Sequence, residues 1–417
     1  MLKKITLHAR ILLMLLFYVL ISSFFLDCKP NNEKKVDENE LNKGTFAYDL
    51  DFLKKNYADL VVLKDGDAKV IISPALQGRV MTSTANGDKG QSFGWLNYDL
   101  IASGEQMEHI NPTGGEERFW LGPEGGQFSI YFKPETTFDF ENWYVPSELD
   151  TEPFELVSNN TLEATFEKNM RLVNYSKTIF DIKVDRTIRL IDKTQGADAL
   201  GIDVPEAVAM VGFESKNTLT NTGNNTWNKE SGMLSIWILS MLNSSEGITV
   251  IIPFKTGEAS ELGKIVNDDY FGKVPNDRLR ILDSVLLFNG DGKQRGKIGV
   301  SPLRAKPLMG SYDSKNKVLS VALFTLPHGN TDYVNSQWAH QESPFEGDVV
   351  NSYNDGPLED GTQLGPFYEL ESSSPAASLK SNEKIVHRHQ TYHFEGNEVV
   401  LNTIATQLFG VSLLDLK

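Results

Sequence analysis

Cysteine is all but missing, with Cys28 the single one among 417 residues. No internal disulfide can form, so the fold must rest on its packed core. Basic residues are also in deficit: 40 Lys and Arg stand against 56 Asp and Glu, a net charge of −16. A surface of that sign repels phosphate backbones, which argues against nucleic acid as a partner. Long helical windows are scarce, and the best, around residues 46–57, is a short cap. No nucleotide-binding glycine motif and no HExxH frame occurs, so neither an organic cofactor nor a zinc-protease site is expected.

Apolar stretches long enough to cross a bilayer are missing too. ILLMLLFYVLISSFFL (11–26) falls short of the roughly 20 residues a spanning helix needs. With Lys3, Lys4 and Arg10 before it, the run reads as a secretory leader. Cys28 follows at once, where lipid attachment would explain both its position and its solitude. Asp27 stands where a lipoprotein leader has a small residue, which keeps plain secretion and an uncleaved anchor as alternatives. The expectation is an exported protein, tethered through Cys28 to a membrane and facing the periplasm or the cell surface. KPNNEKKVDENELNKG (29–44) is too polar to bury a core and reads as a flexible spacer. Residues 45–417 then form a single domain.

What the domain does have is alternation punctuated by turns. LVVLKDGDAKVIIS (60–73) places two apolar runs about Asp-Gly-Asp, a hairpin pattern. DIKVDRTIRLID (181–192) alternates as a half-buried strand, with Arg186 on its apolar side. MLSIWILSMLNSSEGITVIIPF (233–254) reads as a second hairpin and KVLSVALFTLP (317–327) as a further strand. Many strands and little helix point to an all-β sandwich or barrel.

Four segments concentrate chemistry. NPTGGEERFWLGPEGGQFSI (111–130) sets Glu116, Arg118, Trp120 and Glu124 among four glycines, just before an apolar run. Carboxylate and guanidinium groups suit paired sugar hydroxyls, and an indole suits the C–H face of a pyranose. An internal ion pair with a core tryptophan is the plainer alternative. In GPFYELESSS, an extended backbone puts Phe367, Glu369 and Glu371 on one face and Tyr368 and Leu370 on the other. The two carboxylates stand about 7 Å apart at the backbone, within the inverting-glycosidase window, but side by side they do not flank a glycosidic bond. HRHQTYH gathers His387, His389 and His393 on one face. Neutral imidazoles could take zinc, yet ligands from a single strand favour a hydrogen-bonding lining. The polar stretch 337–361 carries Trp338, His340, Glu342, Tyr353 and Asp355 and suits a pocket wall. Its Asp355, Glu359 and Asp360 lack the acidic spacing of a calcium loop, so solvated acids are expected there.

Three segments carry a family resemblance. ISPALQGRVMTS (72–83), with Gly78-Arg79, resembles the early "GGR" segment of the galactose mutarotase-like (aldose 1-epimerase-like) superfamily. GGEERFWLGPEGG resembles the segment that follows it there, and residues 365–394 resemble the closing acidic strand, loop and final strands. The whole is most similar to an uncharacterised group of secreted bacterial lipoproteins of that fold. The resemblance implies a β-supersandwich of large antiparallel sheets with a concave carbohydrate face, to which Arg79 contributes. It also implies that Glu369 is a general base for the anomeric hydroxyl, with Glu371 as its stand-in; no motif matches an acid for the ring oxygen, and His340 and His109 compete for that role on the pKa range of an imidazole. Sugar mutarotase-type chemistry, non-catalytic glycan binding, and glycan cleavage by a hydrolase or lyase stay open as functions.

Overall fold

The computed structural model describes residues 42–416; Cys28, the leader and most of the spacer lie outside them. The architecture is an all-β supersandwich of two large antiparallel sheets with little helix. Five main strands build the smaller, six-stranded sheet, the sixth being the two-residue Leu242–Asn243. These are β1 (Arg118–Gly122), β2 (Ser235–Leu239), β3 (Gly296–Val300), β4 (Val350–Asn354) and β5 (Phe367–Ser373), ordered β3-β4-β5-β2-β1. Ten strands make the larger sheet, whose centre is Val318–Phe324, Lys384–Glu395, Ala209–Asn221 and Ile179–Ile191. A third sheet of three strands includes Val61–Asp65 and Ala68–Ser73, the expected hairpin, with register Asp65↔Ala68.

Strand alternation decides what lies between the sheets. Phe119, Leu121, Ile236 and Ile238 point back from the smaller sheet, while Val184, Ile188, Phe213 and Leu219 meet them in the same buried region. Arg186 shares their side of its strand and is wholly buried. The outer face of the larger sheet is covered by a helix, Glu398–Phe409, whose Leu401, Ile404 and Phe409 pack on Leu319, Val321 and Phe394. Asn397 caps its first turn, accepting from the Val400 amide at 3.0 Å.

One expectation is corrected. Residues 233–254 are not a hairpin: β2 pairs with β1 and β5, whereas Ile248–Pro253 pairs inside the larger sheet. Both runs are covered on both sides, so neither alternates between polar and apolar in a way that marks its sheet. The short link at 240–247 carries the chain from one sheet to the other.

Candidate functional site

The register of the smaller sheet determines which side chains share its front face. Lys297 lies opposite Tyr353, and Tyr353 opposite Glu369. Asn351 lies opposite Glu371, then Leu239, then Arg118. Ser373 lies opposite Trp237, then Trp120. Directly opposed residues in an antiparallel pair project to the same side, so charged and aromatic groups from five strands converge on one surface.

Two buried ion pairs hold that surface. Arg118 Nη2 donates to Glu369 Oε1 at 2.6 Å, and its guanidinium sits 4.9 Å from the Trp120 ring centre. Lys297 Nζ and Trp237 Nε1 both donate to Glu371 Oε2 at 2.9 Å, and the ammonium also lies 4.9 Å from the Trp237 ring centre. The other Glu371 oxygen has no hydrogen-bond partner among the described residues. Burial pushes the Glu369 carboxyl well above the usual carboxylate range; Arg118 opposes that shift and Glu371 adds to it. Burial works against the Lys297 charge, yet Glu371 and Glu124 together hold its pKa above the ordinary lysine value. A lysine so held stays protonated at neutral pH and is a poor nucleophile.

In front of these pairs opens a cavity of about 900 Å³. Its walls include Trp237, Trp338, Tyr353, Lys297, Glu124 and Asp355. Trp338 is set by stacking on Trp143, with ring centres 5.7 Å apart. The glycines of 111–130 explain how the turn reaches this wall. A Cβ at Gly125 would stand 2.4 Å from the Gln337 carbonyl oxygen, and one at Gly115 (φ +117°) 2.5 Å from Arg79 Cδ. Tyr353 donates its hydroxyl to Asp355, whose second oxygen accepts from the Gly365 amide at 2.9 Å. Burial raises the pKa of Asp355 and of Glu124.

The remaining candidates from the sequence are placed elsewhere. Arg79 is buried and donates to Thr113 Oγ1, the Gly114 carbonyl and Gln77 Oε1, at 2.8–3.0 Å. Glu116 accepts from Ser83 Oγ at 2.7 Å and lies 2.9 Å from His393 Nε2, between the sheets. His387 and His389 reach Ser372 Oγ from the larger sheet, each at 2.8 Å, on the back of β5. His340 is exposed beside Phe138 and Tyr175. His109 packs on Phe140 and Tyr144 with Nδ1 2.8 Å from the Trp143 carbonyl oxygen. Trp120 is on the front face but does not line the cavity, whereas Trp237, buried to a similar degree, presents an edge to it.

Residues 44–417 match the model of a family of unknown function, DUF6786. The chain belongs to that family. No curated protein matches the sequence. Among solved structures, this DUF6786 member is similar to a galactose mutarotase-like protein from Lactobacillus casei at 9% identity and TM-score 0.46, covering 81% of this chain and 100% of that one. It is also similar to a galactose mutarotase related enzyme from Lactobacillus acidophilus at 10% identity and TM-score 0.43, covering 81% and 98%. In the DUF6786 member, sequence reasoning missed Trp237, Lys297 and Asn351. The available hint was a lone lysine in GKIGV and a lone indole in SIWIL, each a large polar-tipped group within an apolar strand.

Proposed function

We propose that the protein binds a glycan in the cavity before the smaller sheet. The observation that carries this reading is the meeting of Trp237, Trp338 and Tyr353 with Glu124, Asp355 and Asn351 around one opening. Rings offer faces to the C–H patches of pyranoses, while carboxylates and amides bond their hydroxyls. A volume of about 900 Å³ is near the top of the range for small-ligand pockets, which favours an oligosaccharide over a single sugar. Saturation-transfer NMR against an oligosaccharide panel tests the proposal. Trp237→Ala is expected to weaken the bound oligosaccharide at least tenfold, about 1.4 kcal/mol. Unchanged affinity in that variant, or a panel without a single binder, removes the reading.

A second reading adds chemistry, and one observation favours it. Glu369 is held on the front face by Arg118 at 2.6 Å, and burial lifts its carboxyl to about 8, so its ionised form is a stronger base than an ordinary carboxylate. Glu369 would exchange its hold on Arg118 for the anomeric hydroxyl and take its proton, while Tyr353 at the cavity wall would protonate the ring oxygen on opening and recover that proton on reclosure. Anomer exchange of the bound sugar, followed by NMR, is expected to slow about 10²-fold or more in Glu369→Gln. Wild-type exchange in that variant, or none in the parent protein, leaves binding alone.

A further inference from the structure

Charge in the cavity is lopsided. Five carboxylates line it, Glu124, Asp269, Asp348, Asp355 and Asp360, against only Arg295 and Lys297. Lys297 is already engaged by Glu371 at 2.9 Å beneath the Trp237 ring. Arg295 remains, exposed, with its guanidinium 4.0 Å from the Phe271 ring centre at the cavity edge. The two phenols that could donate to an anion are turned the other way: Tyr270 donates to Asp348, and Tyr353 to Asp355. Around all of this lies a chain of net charge −16.

An anionic group entering such a space loses its hydration, meets like charges and finds few uncommitted donors. A hydroxyl or an amine finds acceptors, and the aromatic walls serve any pyranose equally. We infer that the cavity selects uncharged or amine-bearing glycans and rejects those carrying uronate or sulfate groups. This rests on the carbohydrate reading above but adds a ligand class to it. The residues that determine it are Glu124, Asp348 and Asp355, which are half-buried or buried at the cavity wall, where an entering anion would have to give up its water beside acceptor oxygens.

Two kinds of probe separate the inference from the reading beneath it. Thioflavin T, a cationic aromatic dye, is expected to bind the wild-type protein, and the sulfonate dye 1-anilinonaphthalene-8-sulfonate at least tenfold more weakly. Glu124→Gln with Asp355→Asn should narrow that gap at least fivefold, and Glu124→Gln alone should narrow it in part, should the double variant fold poorly. A glycan array should then retain the protein on neutral or amino-sugar spots, with uronate and sulfated counterparts at least tenfold weaker. Equal binding to an acidic glycan and its neutral counterpart overturns the inference. So does a sulfonate dye that binds as well as the cation, or a preference that the carboxamide variants leave unchanged. Dye preference without any glycan bound upholds charge selection and removes the carbohydrate reading.

Discussion

Arg186→Met is expected to lower the unfolding free energy by about 3–5 kcal/mol, the cost of leaving a buried partner charge uncompensated. Arg186 and Glu117 are both wholly buried and joined at 2.8 Å. The same guanidinium donates to Asn217 Oδ1 at 2.6 Å and to the Gly78 carbonyl at 3.1 Å. One side chain therefore ties together the larger sheet, the turn that follows Ala68–Ser73 inside the three-stranded sheet, and the residue preceding β1. Burial drives both partners toward neutrality, lowering the pKa of Arg186 and raising that of Glu117, against their mutual attraction. Desolvation thus outweighs pairing on each side, so the intact pair adds little net stability while half of it is very costly. Pairing Arg186→Met with Glu117→Gln should recover most of the loss. Guanidinium unfolding of the wild type and the two variants checks this. A single variant within 1 kcal/mol of wild type, or a double variant no better than the single, refutes it. Glu117 is the neighbour of Arg118, so the single variant should also weaken glycan binding, whereas the double variant restores it.

Arg186 was legible because a charge stood at an apolar position of a strictly alternating strand, and alternation also sorted 367–373 correctly. Its two carboxylates share one face, with Tyr368 and Leu370 behind them. Parity says which side chains travel together but not toward which sheet they point. His387, His389 and His393 do share a face, as read, and that face looks inward to Ser372 and Glu116 rather than to the cavity. Parity also fails where the backbone is irregular. Glu116 and Arg118 are two residues apart, yet Glu116 precedes β1, after Gly114 and Gly115 at positive φ, and turns to the opposite side. The 233–254 runs were unreadable for another reason. A strand covered on both sides has no polar parity to reveal its neighbour, and pairing across residues far apart in sequence leaves no local trace. Trp237 and Lys297 were hidden by the same feature. The Glu398–Phe409 helix was legible but not read: Leu401, Ile404, Ala405 and Phe409 recur at helical spacing between Asn397 and Gly410.

Acid should unfold this protein through two histidines. Ser372 Oγ lies 2.8 Å from both His387 Nε2 and His389 Nδ1. One hydroxyl can serve two neutral imidazoles, donating its proton to one ring nitrogen and accepting the N–H of the other. It cannot serve two imidazolium ions, which have only donors to offer. Burial pushes both imidazoles down to about 3, and the Arg186 charge adds to the effect on His389. In the unfolded chain each titrates at about 6.5. Below that pH the unfolded state takes up protons that the native state refuses, so stability is complete above 6.5 and is lost as pH falls toward 3. The slope is about 1.4 kcal/mol per pH unit for each histidine. Glu117 and Glu369, raised by burial, contribute with the opposite sign above about 4.5, so the histidine effect is best read as a difference. His387→Gln with His389→Gln should be somewhat less stable at pH 7 through lost packing. Between pH 6 and 4, however, its unfolding free energy should fall less steeply than that of wild type, by about 2–3 kcal/mol per unit. Parallel slopes would refute the assignment. Ser372 alternates along β5 with Glu369, Glu371 and Ser373 on the other face, so protonating the interior strains the strand that carries the cavity floor. Glycan binding should therefore decline over the same pH interval in the wild type, and persist to lower pH in the double variant.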